Sequence, residues 1–152
     1  MTTPLDGLAE RVDGYLLRLG IDGEVTPDGF WSLRFGSTVV MVATFEHEGH
    51  VYVRIASIVL IGAQTTLDLL TRILRLNNEA IFGAFQLFDD QTVAFTHTLP
   101  GDKLEFEPFE AALRYVARVG DDHDEDLQAL AGGERAEDAI GQPTMDTIKP
   151  VG

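Results

Sequence analysis

Cysteine is absent from the 152 residues, which rules out disulfides and thiolate metal sites and suits a reducing compartment. Basic residues are scarce: 11 Lys and Arg stand against 25 Asp and Glu, for a net charge of −14. A chain so acidic repels phosphate backbones, so nucleic acid is not an expected partner. No apolar run is long enough to span a bilayer, and MTTPLDGLAERVDGY lacks the basic and apolar regions of a secretion signal. The expectation is a cytoplasmic protein without membrane insertion. There is also no GxSxG, no Walker loop and no GxGxxG, so nucleophilic and nucleotide chemistry lack their parts.

What is present is alternation. Thr3-Pro4-Leu5-Asp6 opens a helix with an N-cap, a proline at its first position and an acid near its positive end. Leu5, Leu8, Val12, Tyr15, Leu16 and Leu19 continue it at helical spacing, and Gly20 can close it. Three strand-like runs follow, Phe30–Gly36, Thr38–Glu46 and His50–Ile61, divided by Gly36-Ser37 and Glu48-Gly49. Such short connections force an antiparallel meander. Trp31, Leu33 and Phe35 share one face, as do Val51, Val53 and Ile55. VVMVA at 39–43 is apolar on both faces, which implies that the second face is partly covered.

Leu67 to Leu76 reads as a second helix, capped by Thr65, with Leu67, Leu70, Ile73 and Leu74 as its apolar stripe. Asp68 and Arg72 are spaced for an ion pair, and Leu69 and Leu76 widen the apolar arc beyond half the circumference. Asn77-Asn78 disfavours further helix. Phe82–Phe88 and Thr92–Leu99 form a hairpin around Asp89-Asp90-Gln91. A last helix starts at Pro108 and stops at Gly120, before an acidic break over Asp121–Asp126. Residues 121–152 hold nine acids against Arg135 and Lys149, half of the net charge. The expected division is a domain over 1–131 and an acidic, flexible tail over 132–152. The class is α+β, an antiparallel sheet of about five strands with helices on one side, ordered α-β-β-β-α-β-β-α.

Candidate chemistry is thin. In Glu46-His47-Glu48-Gly49-His50 the histidines are three apart in a hairpin turn, whereas a zinc-protease motif needs them four apart on a helix. Asp122, Asp124 and Asp126 alternate like a calcium loop, but Leu127 stands where glycine is required and Gly133 where glutamate is. No metal, cofactor or catalytic residue is assigned. His97 shares a face with Phe95 and Leu99, and a pocket using His97 or the His47/His50 turn is the alternative reading, a small-ligand or enzymatic domain. Apolar surface is the stronger feature. Phe30, Met41, Tyr52, Phe82 and Phe88 are expected on the sheet side away from the helices, as a partner-binding face. Leu69, Ile73 and Leu76 are the expected dimer contacts.

The stretch Leu74-Arg75-Leu76-Asn77-Asn78, then Phe82-Gly83-Ala84-Phe85-Gln86-Leu87, Val93 and Leu99-Pro100, resembles the YbjN family. That family is similar in fold to the type III secretion chaperones, and Leu127-Gln128-Ala129-Leu130 after Asp-rich sequence looks like its actinobacterial members. The resemblance spans roughly residues 5–131. It implies a non-enzymatic, chaperone-like module that binds a protein or peptide client and is often homodimeric. It names no client.

Overall fold

The computed structural model describes residues 2–21, 24–25 and 29–136. Its elements run α1 Pro4–Arg18, β1 Glu24–Val25, β2 Trp31–Phe35, β3 Thr38–His47, β4 His50–Ile61, α2 Leu67–Glu79, β5 Ala84–Leu87, β6 Val93–Pro100, α3 Phe106–Ala131 and β7 Glu134–Arg135. The α+β class and the expected order hold, with two-residue strands β1 and β7 added. All strand pairs are antiparallel, in the order β1-β2-β3-β4-β6-β5, and β7 pairs with β4.

Local chemistry sets the turns. His47 and His50 face each other across a two-residue hairpin in which Glu48 (φ 50°) and Gly49 (φ 81°) are both left-handed. That geometry matches the twist of the flanking strands. In α1 the capping box is complete: Thr3 Oγ1 accepts from the Asp6 N–H, and the Asp6 carboxylate accepts from the Thr3 N–H. Arg11 and Tyr15 then donate to the Leu104 carbonyl, pinning α1 to the loop before α3.

The pleat divides the sheet into two faces. Trp31, Leu33, Val40, Val42, Val53, Ile55, Phe85 and Phe95 point to one side, where residues of all three helices join them in the main core. Phe30, Val39, Met41, Ala43, Ala56, Ile58, Ala94 and Ala136 form a smaller cluster on the other.

Three expectations about helices change. The α2 cap is Thr66, whose hydroxyl accepts from the Leu69 N–H, rather than Thr65. The same helix runs through Asn77 and Asn78 to Glu79, because Asn77 turns its amide to β5 instead of back to its own backbone. Finally, α3 starts at Phe106 and passes straight through Gly120 and the acidic stretch. Gly120 is a point of close approach and not a stop: a Cβ there would overlap Ser57 Oγ on β4. Four of the five acids beyond it find partners. Asp121 accepts from the Ser37 N–H and hydroxyl at 3.2 and 2.7 Å, and buried Asp124 lies 2.6 Å from the same hydroxyl. Asp126 takes Arg72 of α2 at 3.0 Å, so Arg72 pairs across to α3 and not with Asp68.

Residues 132–136, expected as the start of the tail, instead return to the sheet. Leu60 pairs with both Val93 of β6 and Arg135 of β7, so β7 occupies the β3 side of β4, just past the point where β3 begins. The rest of the expected tail, 137–152, lies outside the described residues.

Candidate functional site

Among the described residues, three exposed large apolar side chains lie together on the outward side of α2. Its inward side carries Leu69, Ile73 and Leu76, all buried against the sheet and α3. These were the expected dimer contacts, and the structure places them in the core. Leu67, Leu70 and Leu74 lie on the opposite side at three- and four-residue spacing, 80%, 37% and 69% exposed, and Ile81 beyond the helix end is 80% exposed. Burying a large aliphatic side chain is worth about 1.5–3 kcal/mol, so leaving these side chains in water forgoes a sizeable stabilisation. Periodicity alone could not choose between the two sides, since leucines occupy both.

The expected partner face is placed in part. Phe30 and Met41 do turn away from the helices, but they are 2% and 0% exposed and sit in the second cluster. Phe88 packs against that cluster, and Tyr52 lies on the same face, stacked on Phe45 with ring centres 5.5 Å apart. Phe82 does not join them. It precedes β5, so strand alternation does not govern it, and it packs on the helix side between His97 and Tyr115, 4.4 and 4.6 Å from their ring centres. The adjacent Gly83, at φ 76°, makes this turn possible; a Cβ there would come within 2.7 Å of the Thr96 carbonyl.

The sheet ends at β5, and its outer edge is partly filled. The Asn77 side chain accepts from the Phe85 N–H at 2.6 Å and donates to the Phe85 carbonyl at 3.2 Å. A single amide thus substitutes for a neighbouring strand at one residue. The one sign of this role in the residues themselves is the asparagine's unfavourable place in a helix.

The polar candidates do not converge. His50 Nδ1 approaches Asp102 at 3.3 Å and His47 approaches its neighbour Glu48 at 4.0 Å, both at the exposed hairpin end. His97 is on the helix face as expected, and burial beside Phe82 holds its pKa below the ordinary histidine value. Among the described residues no group of three or more His, Asp or Glu could hold a metal ion. A shallow cavity of about 340 Å³ is lined by Phe35, Gly36, Arg114, Ala117, Arg118 and Asp121. It contains none of the histidines, and its carboxylate is bound to Ser37. No helix among the described residues is long and apolar enough to cross a membrane.

An antiparallel sheet backed by three helices, with exposed apolar side chains on the outward side of α2, sets the class as an α+β domain. The family comparison gives that class its particular form: residues 6–139 match the model of T3SS (YopN, CesT) and YbjN peptide-binding chaperone 1, TY-Chap1, and the chain belongs to this family. Comparison with curated proteins gives no match. Among solved structures the chain is similar to one in the crystal structure of the ExsC–ExsE complex, with a TM-score of 0.63 and 16% identity over 81% of this chain and 95% of that one. At that identity the likeness concerns the fold.

Proposed function

We propose that this chain is a non-enzymatic, cytoplasmic chaperone-like module that binds an extended protein or peptide segment and works as a homodimer joined along α2. The observation that carries the dimer is the exposed helix ridge of Leu67, Leu70 and Leu74. A lone helix face of this kind is costly to leave in water and is covered most simply by its own copy, since a two-fold contact uses the same patch twice. The client reading is supported by membership in a family described as peptide-binding chaperones, and by a fold neighbour whose title names a complex of two proteins. Tyr52 and Phe88 supply aromatic groups on the open face for such a segment.

Light scattering on a sizing column tests the dimer. The wild type runs as a dimer at tens of micromolar, roughly the range where weak dimers form, and Leu70→Asp/Leu74→Asp runs as a folded monomer. A wild-type monomer at that concentration refutes the dimer. The client face is tested by affinity capture with the intact chain and with Phe88→Asp; a folded Phe88→Asp that retains every captured partner removes this face from the site.

A further inference from the structure

Two charged side chains of α2 take no part in holding the fold. Asp68 and Arg75 are exposed, and among the described residues neither side chain makes an ion pair or a hydrogen bond. Arg72, between them in sequence, is already held by Asp126 of α3. Helix geometry places the two free charges together. At about 100° per residue, seven residues turn through about 700°, so Asp68 and Arg75 lie within about 20° of one another, some two turns apart along the axis. Both fall on one edge of the exposed stripe. Leu67, Thr71 and Leu74 run down its middle, and Leu70 lies on the other edge.

A ridge with opposite charges on the same edge complements itself in one orientation. When a second copy lies antiparallel across α2, the two-fold axis is perpendicular to both helices, so like edges meet with their order reversed. Asp68 of each copy then faces Arg75 of the other, Leu67 faces Leu74, and Leu70 meets its own counterpart. The midpoint of 68 and 75 and that of 67 and 74 both fall beside Thr71, so the leucine contacts and the ion pairs share one axis. In a parallel pair the axis runs along the helices instead. The charged edge of each copy then faces the Leu70 edge of the other, and neither charge finds a partner. We propose that the α2 ridge receives a second copy of this chain antiparallel about Thr71, with two Asp68–Arg75 ion pairs selecting that orientation. The arrangement rests on the dimer proposed above; it adds the orientation and the charge selection that the leucines alone leave open.

Single cysteines in the full-length, cysteine-free chain read the orientation directly. Under mild oxidation Thr71→Cys, near the axis, cross-links to itself, whereas Leu67→Cys cross-links only when mixed with Leu74→Cys, because a disulfide needs close Cα atoms. Sedimentation equilibrium in dilute salt reads the charges. Asp68→Arg and Arg75→Asp each weaken the dimer by about fivefold or more, since two attractions become two repulsions, and Asp68→Arg/Arg75→Asp restores it. A wild-type chain that stays monomeric refutes the dimer itself. A wild-type dimer in which Leu67→Cys cross-links to itself, Thr71→Cys does not, or neither charge reversal alters the affinity keeps the dimer and overturns the antiparallel pairing.

Discussion

The two faces of the sheet use similar strand residues to opposite ends. On the helix side, large side chains from β2, β3, β4 and β6 meet Leu113, Val116 and Phe109 of α3, and the contact is close enough to demand glycine at 120. On the open side, alanines at 43, 56, 94 and 136 alternate with Phe30, Met41 and Ile58, leaving a flatter, thinner layer. The helix-backed face is thus the larger of the two cores.

The comparison is sharpest on β4, where Ile55 and Ile58 are equally buried but face opposite sides. Ile55→Ala should cost about 4 kcal/mol of unfolding free energy and Ile58→Ala about 2, within the 2–5 kcal/mol known for such truncations. Urea denaturation measures both, and equal losses would erase the distinction between the faces. Next in size is Gly120→Ala, whose methyl group would collide with Ser57. We expect a loss of about 2–3 kcal/mol from overpacking. Gly120→Ala/Ser57→Gly should recover much of it, and a purely additive double variant would place the cost outside the contact with Ser57.

These contacts also explain what could be read in advance. The meander was legible because β2, β3 and β4 are rich in β-branched and aromatic residues and are divided by Gly36 and Gly49, which are needed at positive φ. The length of α3 was not. Gly120 followed by five acids within six residues reads locally as a stop, and the partners that stabilise those acids, Ser37, Arg72 and Arg135, are remote in sequence. For α2 the helix was legible and its orientation was not: leucines on opposite sides identify a core stripe only once β5, β6 and α3 are in place. The candidate site therefore emerged as the complement of the expected contact residues.

Two smaller effects probe the margin of the helix-backed face. Asn77→Ala removes both side-chain bonds to Phe85 and should cost about 1–2 kcal/mol, with faster amide exchange confined to β5 and the end of α2. Exchange spreading into β4 would mean that the edge and the centre of the sheet open together. The smallest effect is electrostatic. Burial lowers the His97 pKa in the folded chain, so the unfolded chain binds the proton more readily. Stability should decline as pH falls through the ordinary histidine value of about 6.5. His97→Gln should lessen the difference between urea midpoints measured at pH about 7.5 and about 5.5, on either side of that value. An unchanged difference would assign the pH dependence to other groups.

The amide of Asn77 carries a consequence for strand addition. Any new strand hydrogen-bonding along β5 must take over the two backbone groups of Phe85, and it can do so only after Asn77 withdraws from them. Asn77 belongs to the final turn of α2, which ends at Glu79 and is followed by exposed Ile81. Pairing at the sheet edge is thereby tied to release of the Asn77 side chain from Phe85.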